Sequence, residues 1–155
     1  MKVLVITLSD RASNGIYEDR SGPEIEKIFL ENFDDLEIKR VIVPDEKRIF
    51  LDALGDGLWA DFIITTGGTG ISPRDITPEV CQEFCEKELP GIAEILRLES
   101  YKETPMAMLS RAYSGMKDGT IVVNFPGSVK GARCCANVML KIMDHAMKMR
   151  DGKGH

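Results

Sequence analysis

The stretch "DFIITTGGTGISPRD", Asp61 to Asp75, decides how the rest of the chain is read. Apolar and β-branched residues lead into Thr65 and Thr66, as in a buried strand. Glycines then occupy three of four positions, Gly67, Gly68 and Gly70, and a single acid, Asp75, follows five residues after the last of them. Glycine tolerates φ > 0 and lets backbone approach a ligand, at a cost of roughly 0.5–1 kcal/mol within regular structure. Two readings are open. The loop is a nest of backbone N–H groups for an anion, with Thr65, Thr66 and Thr69 adding hydroxyls, or a tight turn that lets a helix pack on the sheet. No Gly-Lys-Ser/Thr follows, so it is not a nucleotide P-loop, and the spacing is not G-x-G-x-x-G.

Outward from this stretch the chain alternates strand and helix. Strands are expected over Lys2–Leu8, Leu36–Val43, Asp61–Thr66 and Gly119–Phe125. Helices are expected over Ser21–Phe33, from Asp45 as N-cap to Leu58, over Thr77–Leu89 and Gly91–Lys102, and from Ser128 to Met149. This order predicts a three-layer α/β/α fold on a mainly parallel sheet, a single domain over residues 1–155. Ligands in such folds bind beyond the carboxyl ends of the strands. Attention therefore falls on "LSDRASNG", "VPDEK", "TTGGTGISPRD" and "NFPGSVKG", the loops after the four strands.

Composition narrows the function. The chain has 155 residues, 43% hydrophobic and 29% charged, with a net charge of −5. An acidic chain is a poor general partner for nucleic acid, so an anionic ligand must be held locally. No apolar run approaches the ~20 residues of a membrane span, and "MKVLVITLSD" does not read as a signal peptide, so the expected location is cytoplasmic. The four cysteines, Cys81 and Cys85 at i, i+4 and the adjacent Cys134 and Cys135, have neither zinc nor redox spacing and read as small buried hydrophobes on helices. His145 in a helix and the terminal His155 are not credible bases, which removes Ser/His and Cys/His schemes.

Asp45 and Asp75 each follow a strand end and should share one edge of the sheet. Singly, they read as a helix cap and a turn. Together, beside an N–H nest, they are the parts of a Mg²⁺-assisted phosphoryl or nucleotidyl transfer. Gly127, Ser128 and Lys130 begin a helix, a natural phosphate site. Arg111 follows a Pro-led segment, either as a phosphate fork or as a solvated surface residue.

The segments "TTGGTGISPRDITPE", "VPDE", "SDRASNGIYEDRSG", "TPMAMLSRA" and "VNFPGS" resemble the Mog/MoaB family of molybdenum cofactor biosynthesis, the molybdopterin adenylyltransferases related to the G domain of gephyrin. The resemblance runs from about Leu4 to Lys130. It implies transfer of AMP from ATP to the terminal phosphate of molybdopterin with Mg²⁺, release of pyrophosphate, a homotrimer, and hand-over to a MoeA-type insertase. Carried over by motif, Asp45 and Asp75 are the catalytic and metal-binding aspartates. Ser9, Asp10, Gly67, Gly68, Thr69 and Gly70 bind substrate, as do Ser100, Ser110, Arg111, Asn124, Pro126, Gly127, Ser128 and Lys130. One departure is Val129, where many members have proline. The rival readings are a non-catalytic, MoaB-like pterin carrier and a CinA-type hydrolase, the latter expected to need a longer chain.

Overall fold

The structure, a computed structural model, describes residues 1–153; His155 lies outside them. Six strands form one sheet in the order β2-β1-β3-β6-β5-β4. Its parallel part is β2 (Glu37–Val43), β1 (Lys2–Leu8), β3 (Phe62–Thr66) and β6 (Thr120–Phe125). Adjacent parallel strands require crossovers, and α2 (Ser21–Asn32) and α3 (Lys47–Asp56) provide them for the first three.

The side chains of β1 show why both faces are covered. Val3 and Val5 enter one core with Phe62, Ile64, Val123 and Phe125, beneath α2, α5 (Pro90–Glu103), α6 (Val129–Met139) and α7 (Met143–Arg150). Leu4, Ile6 and Leu8 enter the other, with Ile63 and Val122, beneath α3 and α4 (Thr77–Phe84). Strands buried on both faces read as continuous apolar runs rather than alternating ones. Full burial of side chains such as Phe29, Phe50 and Phe62 stabilises the fold by about 1.5–3 kcal/mol each relative to exposure.

Four expectations are corrected. Two short antiparallel strands, β4 (Lys87–Glu88) and β5 (Ser114–Lys117), extend the sheet beyond β6. β5 turns into β6 through Asp118 and Gly119, both at positive φ (48° and 82°), the two-residue Asp-Gly hairpin whose twist suits paired strands. The C-terminal helix is two helices. Lys141 N–H and Ile142 N–H bond carbonyls three residues back, which tightens the chain between α6 and α7. The helix after Pro78 ends at Phe84, so Cys85 falls just past it. Finally, Asp45 does not cap α3: Glu46 occupies the cap position, and the Asp45 side chain turns to the neighbouring loop.

Of the C-terminal methionines, Met139 and Met143 are fully buried in the intrachain core, whereas Met149 is exposed. Among the described residues, no helix is long and apolar enough to cross a membrane.

Candidate functional site

All the loops singled out in the sequence lie at the carboxyl edge of the parallel strands. Two of them, the glycine loop and the β6–α6 turn, line a cavity of about 460 Å³ together with α5 and the segment that follows it. The backbone of Gly67, Gly68, Thr69 and Gly70 forms one wall, with Asp75 beside it. Ser100 from α5, Ser110, and Pro126, Gly127, Ser128 and Lys130 from the β6–α6 turn form much of the rest. Leu96, Met106 and Leu109 give it an apolar side. A second cavity of about 390 Å³ is lined by Ser9, Asp19 and Thr66 and shares Gly67, Gly127 and Ser128 with the first.

The glycines have distinct causes. Gly67 takes φ +99°, and a Cβ there would stand 2.4 Å from the Leu8 carbonyl oxygen. Gly68 takes φ +65°, and its Cβ would meet Thr77 Oγ1 at 2.3 Å and Asp45 Oδ1 at 3.3 Å. These positions demand glycine for the turn and its packing. Gly67 N–H donates to Phe125 O, as a strand continuation would. By contrast, the N–H groups of Gly68, Thr69 and Gly70 have no acceptor among the described residues. Three successive N–H groups without a protein acceptor, on residues that line a cavity wall, are the arrangement found in backbone anion nests.

The acids stand around this wall. Asp10 and Asp45 clasp each other: Asp10 N–H donates to Asp45 Oδ2 at 3.1 Å, and Asp45 N–H to Asp10 Oδ1 at 2.9 Å. Arg74 donates to the second Asp10 oxygen from Nε and Nη2. The Asp45 amide and Arg74 together hold the Asp10 carboxyl below its ordinary pKa. Asp45 is pushed up, first by burial, then by the nearby Asp10 and Asp75 charges, against the bond from Asp10 N–H. Asp75 Oδ2 accepts from Ser72 N–H at 2.9 Å and lies 2.8 Å from where a Gly70 Cβ would be. Asp45 and Asp75 thus flank the glycine wall, within electrostatic reach of each other.

A divalent cation fits this donor set in one way. Among the described residues no group of three or more His, Cys, Asp or Glu side chains converges, so the protein does not cage an ion alone. Mg²⁺ commonly takes one or two carboxylates and completes its shell with water and substrate phosphates. Asp45 and Asp75 are the carboxylates beside the glycine wall that would hold such an ion, Asp45 being partly withdrawn from water and within reach of the Asp10 and Asp75 charges.

Other expected site residues are engaged in the scaffold. Ser9 Oγ caps α1 (Asp10–Ser13) by accepting from Ala12 N–H, and its side chain faces the second cavity rather than the first. Asn124 is fully buried at the base of the cavity lining; its amide bonds Thr65 Oγ1, Cys81 Sγ and Tyr113 N–H, fastening β3, α4 and the segment before β5. Arg111 does not line the cavity, and although it is exposed its guanidinium is engaged by the protein rather than free. Its guanidinium donates to Gly70 O at 2.7 Å and Asp75 O at 2.8 Å and pairs with Glu79. Ser128 Oγ accepts from Gly131 N–H as the cap of α6, and Lys130 stands 3.5 Å from Glu103 at the cavity mouth. Among the described residues the Ser100 hydroxyl has the sulfurs of Cys134 and Cys135, at 3.9 and 3.8 Å, as its hydrogen-bond partners.

The cysteines are inert as nucleophiles. Burial pushes Cys81 and Cys135 to about 12 and Cys85 to about 11, leaving them as thiols. Residues absent from the sequence reading are Thr77, Arg74, Glu79 and Arg97. Thr77 lies within the "ITPE" segment and is identifiable there; Arg97, on helix α5, lines the cavity and donates to Ala112 O at 2.6 Å, but in the sequence it looks like any solvated helical arginine.

Fold and site together define an α/β domain with a glycine-rich cavity wall and two carboxylates beside it at its strand ends. Residues 4–145 match the family described as "probable molybdopterin binding domain", and the chain belongs to that family of molybdenum cofactor biosynthesis proteins. It is 38% identical over 149 residues to a molybdopterin adenylyltransferase of Helicobacter pylori, covering 94% of this chain and 85% of that one. The crystal structure of the molybdopterin biosynthesis enzyme MoaB of Thermus thermophilus superposes with a TM-score of 0.88 at 36% identity, over 98% and 97% of the two chains. The tungsten cofactor synthesizing protein MoaB of Pyrococcus furiosus gives 0.88 at 36% identity, over 96% of each.

Proposed function

We propose that this protein is a molybdopterin adenylyltransferase, moving AMP from ATP to the terminal phosphate of molybdopterin with release of pyrophosphate. The observation that carries the reading is the run of three N–H groups on Gly68, Thr69 and Gly70, without protein acceptors and flanked by Asp45 and Asp75. A phosphate chain laid on that wall receives the hydrogen bonds that the loop does not make to itself.

The chemistry asks little proton transfer of the protein. A terminal-phosphate oxygen of molybdopterin bonds to the α-phosphorus of ATP. The bond from that phosphorus to its bridging oxygen breaks, and the electron pair leaves with pyrophosphate. The nucleophile is already an anion, so no histidine base is needed. Positioning and charge stabilisation are the principal contributions. The glycine-loop N–H groups hold phosphate oxygens, while Leu96, Met106 and Leu109 suit the face of a ring system. Two cavities meeting at Gly67, Gly127 and Ser128 accord with two substrates reacting across a shared boundary. Mg²⁺ bound by Asp45 and Asp75 would neutralise phosphate charge.

A homotrimer in the cytoplasm that passes its product to a MoeA-type insertase belongs to the same reading. Exposed Ile95, Leu98 and Tyr101 on α5 supply apolar surface for such contacts. The test is to mix the protein with molybdopterin, Mg²⁺ and ATP labelled at the α-phosphate and follow label into the pterin. Transfer that disappears in Asp45→Ala and Asp75→Ala supports the enzyme. Pterin binding without transfer would make the protein a carrier.

A further inference from the structure

The glycine wall is held from behind by two residues, and the pattern is complete. Gly67 O accepts from Thr77 Oγ1 at 2.9 Å, and Gly68 O from Thr77 N–H at 3.1 Å. Thr69 O accepts from Arg111 N–H at 2.9 Å, and Gly70 O from Arg111 Nε at 2.7 Å. Every carbonyl from Gly67 to Gly70 is therefore fastened, two by each residue. The peptide bonds of the loop are trans, so each N–H lies opposite the carbonyl of its own peptide plane. Fastening those carbonyls fixes the direction of the N–H groups of Gly68, Thr69 and Gly70 and, through Gly70 O, that of Ile71 at the end of the loop.

We propose that Thr77 and Arg111 are positioning residues that set the anion nest by gripping its carbonyls; this rests on the proposed phosphate-binding role of the loop. Thr77 is fully buried at the start of α4 and makes its two bonds from rigid structure. Its contact also explains the glycine at position 68, where a Cβ would strike Thr77 Oγ1. Arg111 is itself oriented by Glu79, in the first turn of the same helix, and by Asp75 O. Through Asp75 O it ties the nest to the segment bearing the Asp75 carboxylate. Because Glu79 balances its charge, Arg111 acts here through geometry rather than as a free cation. A lysine cannot reproduce a fork that reaches Gly70 O and Asp75 O together.

The experiment titrates inorganic pyrophosphate into the full-length protein and follows the amide NMR resonances of Gly68, Thr69 and Gly70, with affinity from calorimetry. Wild type should shift all three amides. Thr77→Val, which loses the bond to Gly67 O, and Arg111→Lys, which loses the bond to Gly70 O, should each weaken binding about tenfold, the size of one lost hydrogen bond in this setting; the first should displace the Gly68 shift most and the second the Gly70 shift. Thr77→Ser, which keeps the hydroxyl, should restore affinity and shift. The amides of Lys2 and Val3, at the opposite end of β1, should remain unchanged in every variant, which separates positioning from unfolding. Wild-type affinity and shifts in Thr77→Val and Arg111→Lys would overturn the positioning role while leaving the nest intact. Wild-type amides that ignore saturating pyrophosphate would overturn the nest and this inference with it. Intact binding without AMP transfer would count against the proposed reaction alone.

Discussion

Two turns with glycine at positive φ stand at opposite ends of the sheet, and they do different work. At the start of β6, Asp118 and Gly119 reverse the chain between paired strands. A Cβ on Gly119 would meet only Arg150 Cδ, at 3.6 Å, and Arg150 Nη1 reaches the Gly119 carbonyl only at 3.5 Å. At the end of β3, Gly67 and Gly68 are crowded by Leu8 O and Thr77 Oγ1, and four successive carbonyls are fastened by Thr77 and Arg111. Glycine supplies the same backbone freedom in both places. What distinguishes the candidate site is the anchoring of the peptide planes and the carboxylates beside them.

The largest expected effect separates the two turns by chemistry. Asp75→Asn keeps the side chain's shape and removes its charge, and should reduce AMP transfer at least about a hundredfold. Asp118→Asn, at a φ that asparagine tolerates, should leave transfer unchanged. Label transfer under identical conditions measures both, and equal rates in the two variants would erase the distinction. Stability comes next. Gly67→Ala combines a strained φ with a collision against backbone and should cost about 3 kcal/mol. Gly119→Ala has room for its Cβ and should cost about 1 kcal/mol. Denaturant titrations would show whether the gap exists.

The smallest effect concerns what fastens the hairpin end. Asp61, half-buried, pairs with Arg150 at 2.7 Å and accepts from Lys2 N–H at 2.7 Å. Burial pushes its carboxyl up, but the Arg150 bond, the Lys2 amide and the nearby positive charges outweigh it, and the folded pKa is lowered. The resulting stabilisation is complete above the unfolded value of about 3.9 and is lost as pH falls through the lower folded value. Asp61→Asn should therefore cost about 1 kcal/mol at neutral pH, with variant and wild type converging in acid. A constant gap from pH 7 to pH 2 would show that packing, not charge, is at stake.

Much of this was legible in the chain because local signals agreed with the tertiary outcome. The apolar runs at Lys2–Leu8, Phe62–Thr66 and Thr120–Phe125 are strands buried on both faces, and the helices between them dictate parallel order. The glycine loop and its two aspartates were found because loops beyond strand ends are where such folds bind ligands. The antiparallel edge escaped notice: β4 has two exposed residues, and β5, "SGMK", has no clear alternation. The Asp-Gly pair before β6 was its available signal. The break between α6 and α7 has no glycine or proline to mark it. The roles of Asp45 and Arg111 depend on partners 35 and 41 residues away, Asp10 and Gly70, which no local pattern supplies.

The ridge shared by the two cavities has a thermodynamic consequence. Its members include Gly67 and Gly127, and a Cβ on Gly127 would lie only 3.2 Å from Gly67 Cα, so the partition is main chain packed against main chain. A guest that displaces this partition from one side reshapes the opposite chamber in the same movement. Affinities in the two chambers are then mutually dependent, and reciprocity requires that whatever factor one guest imposes on the other is returned in equal measure.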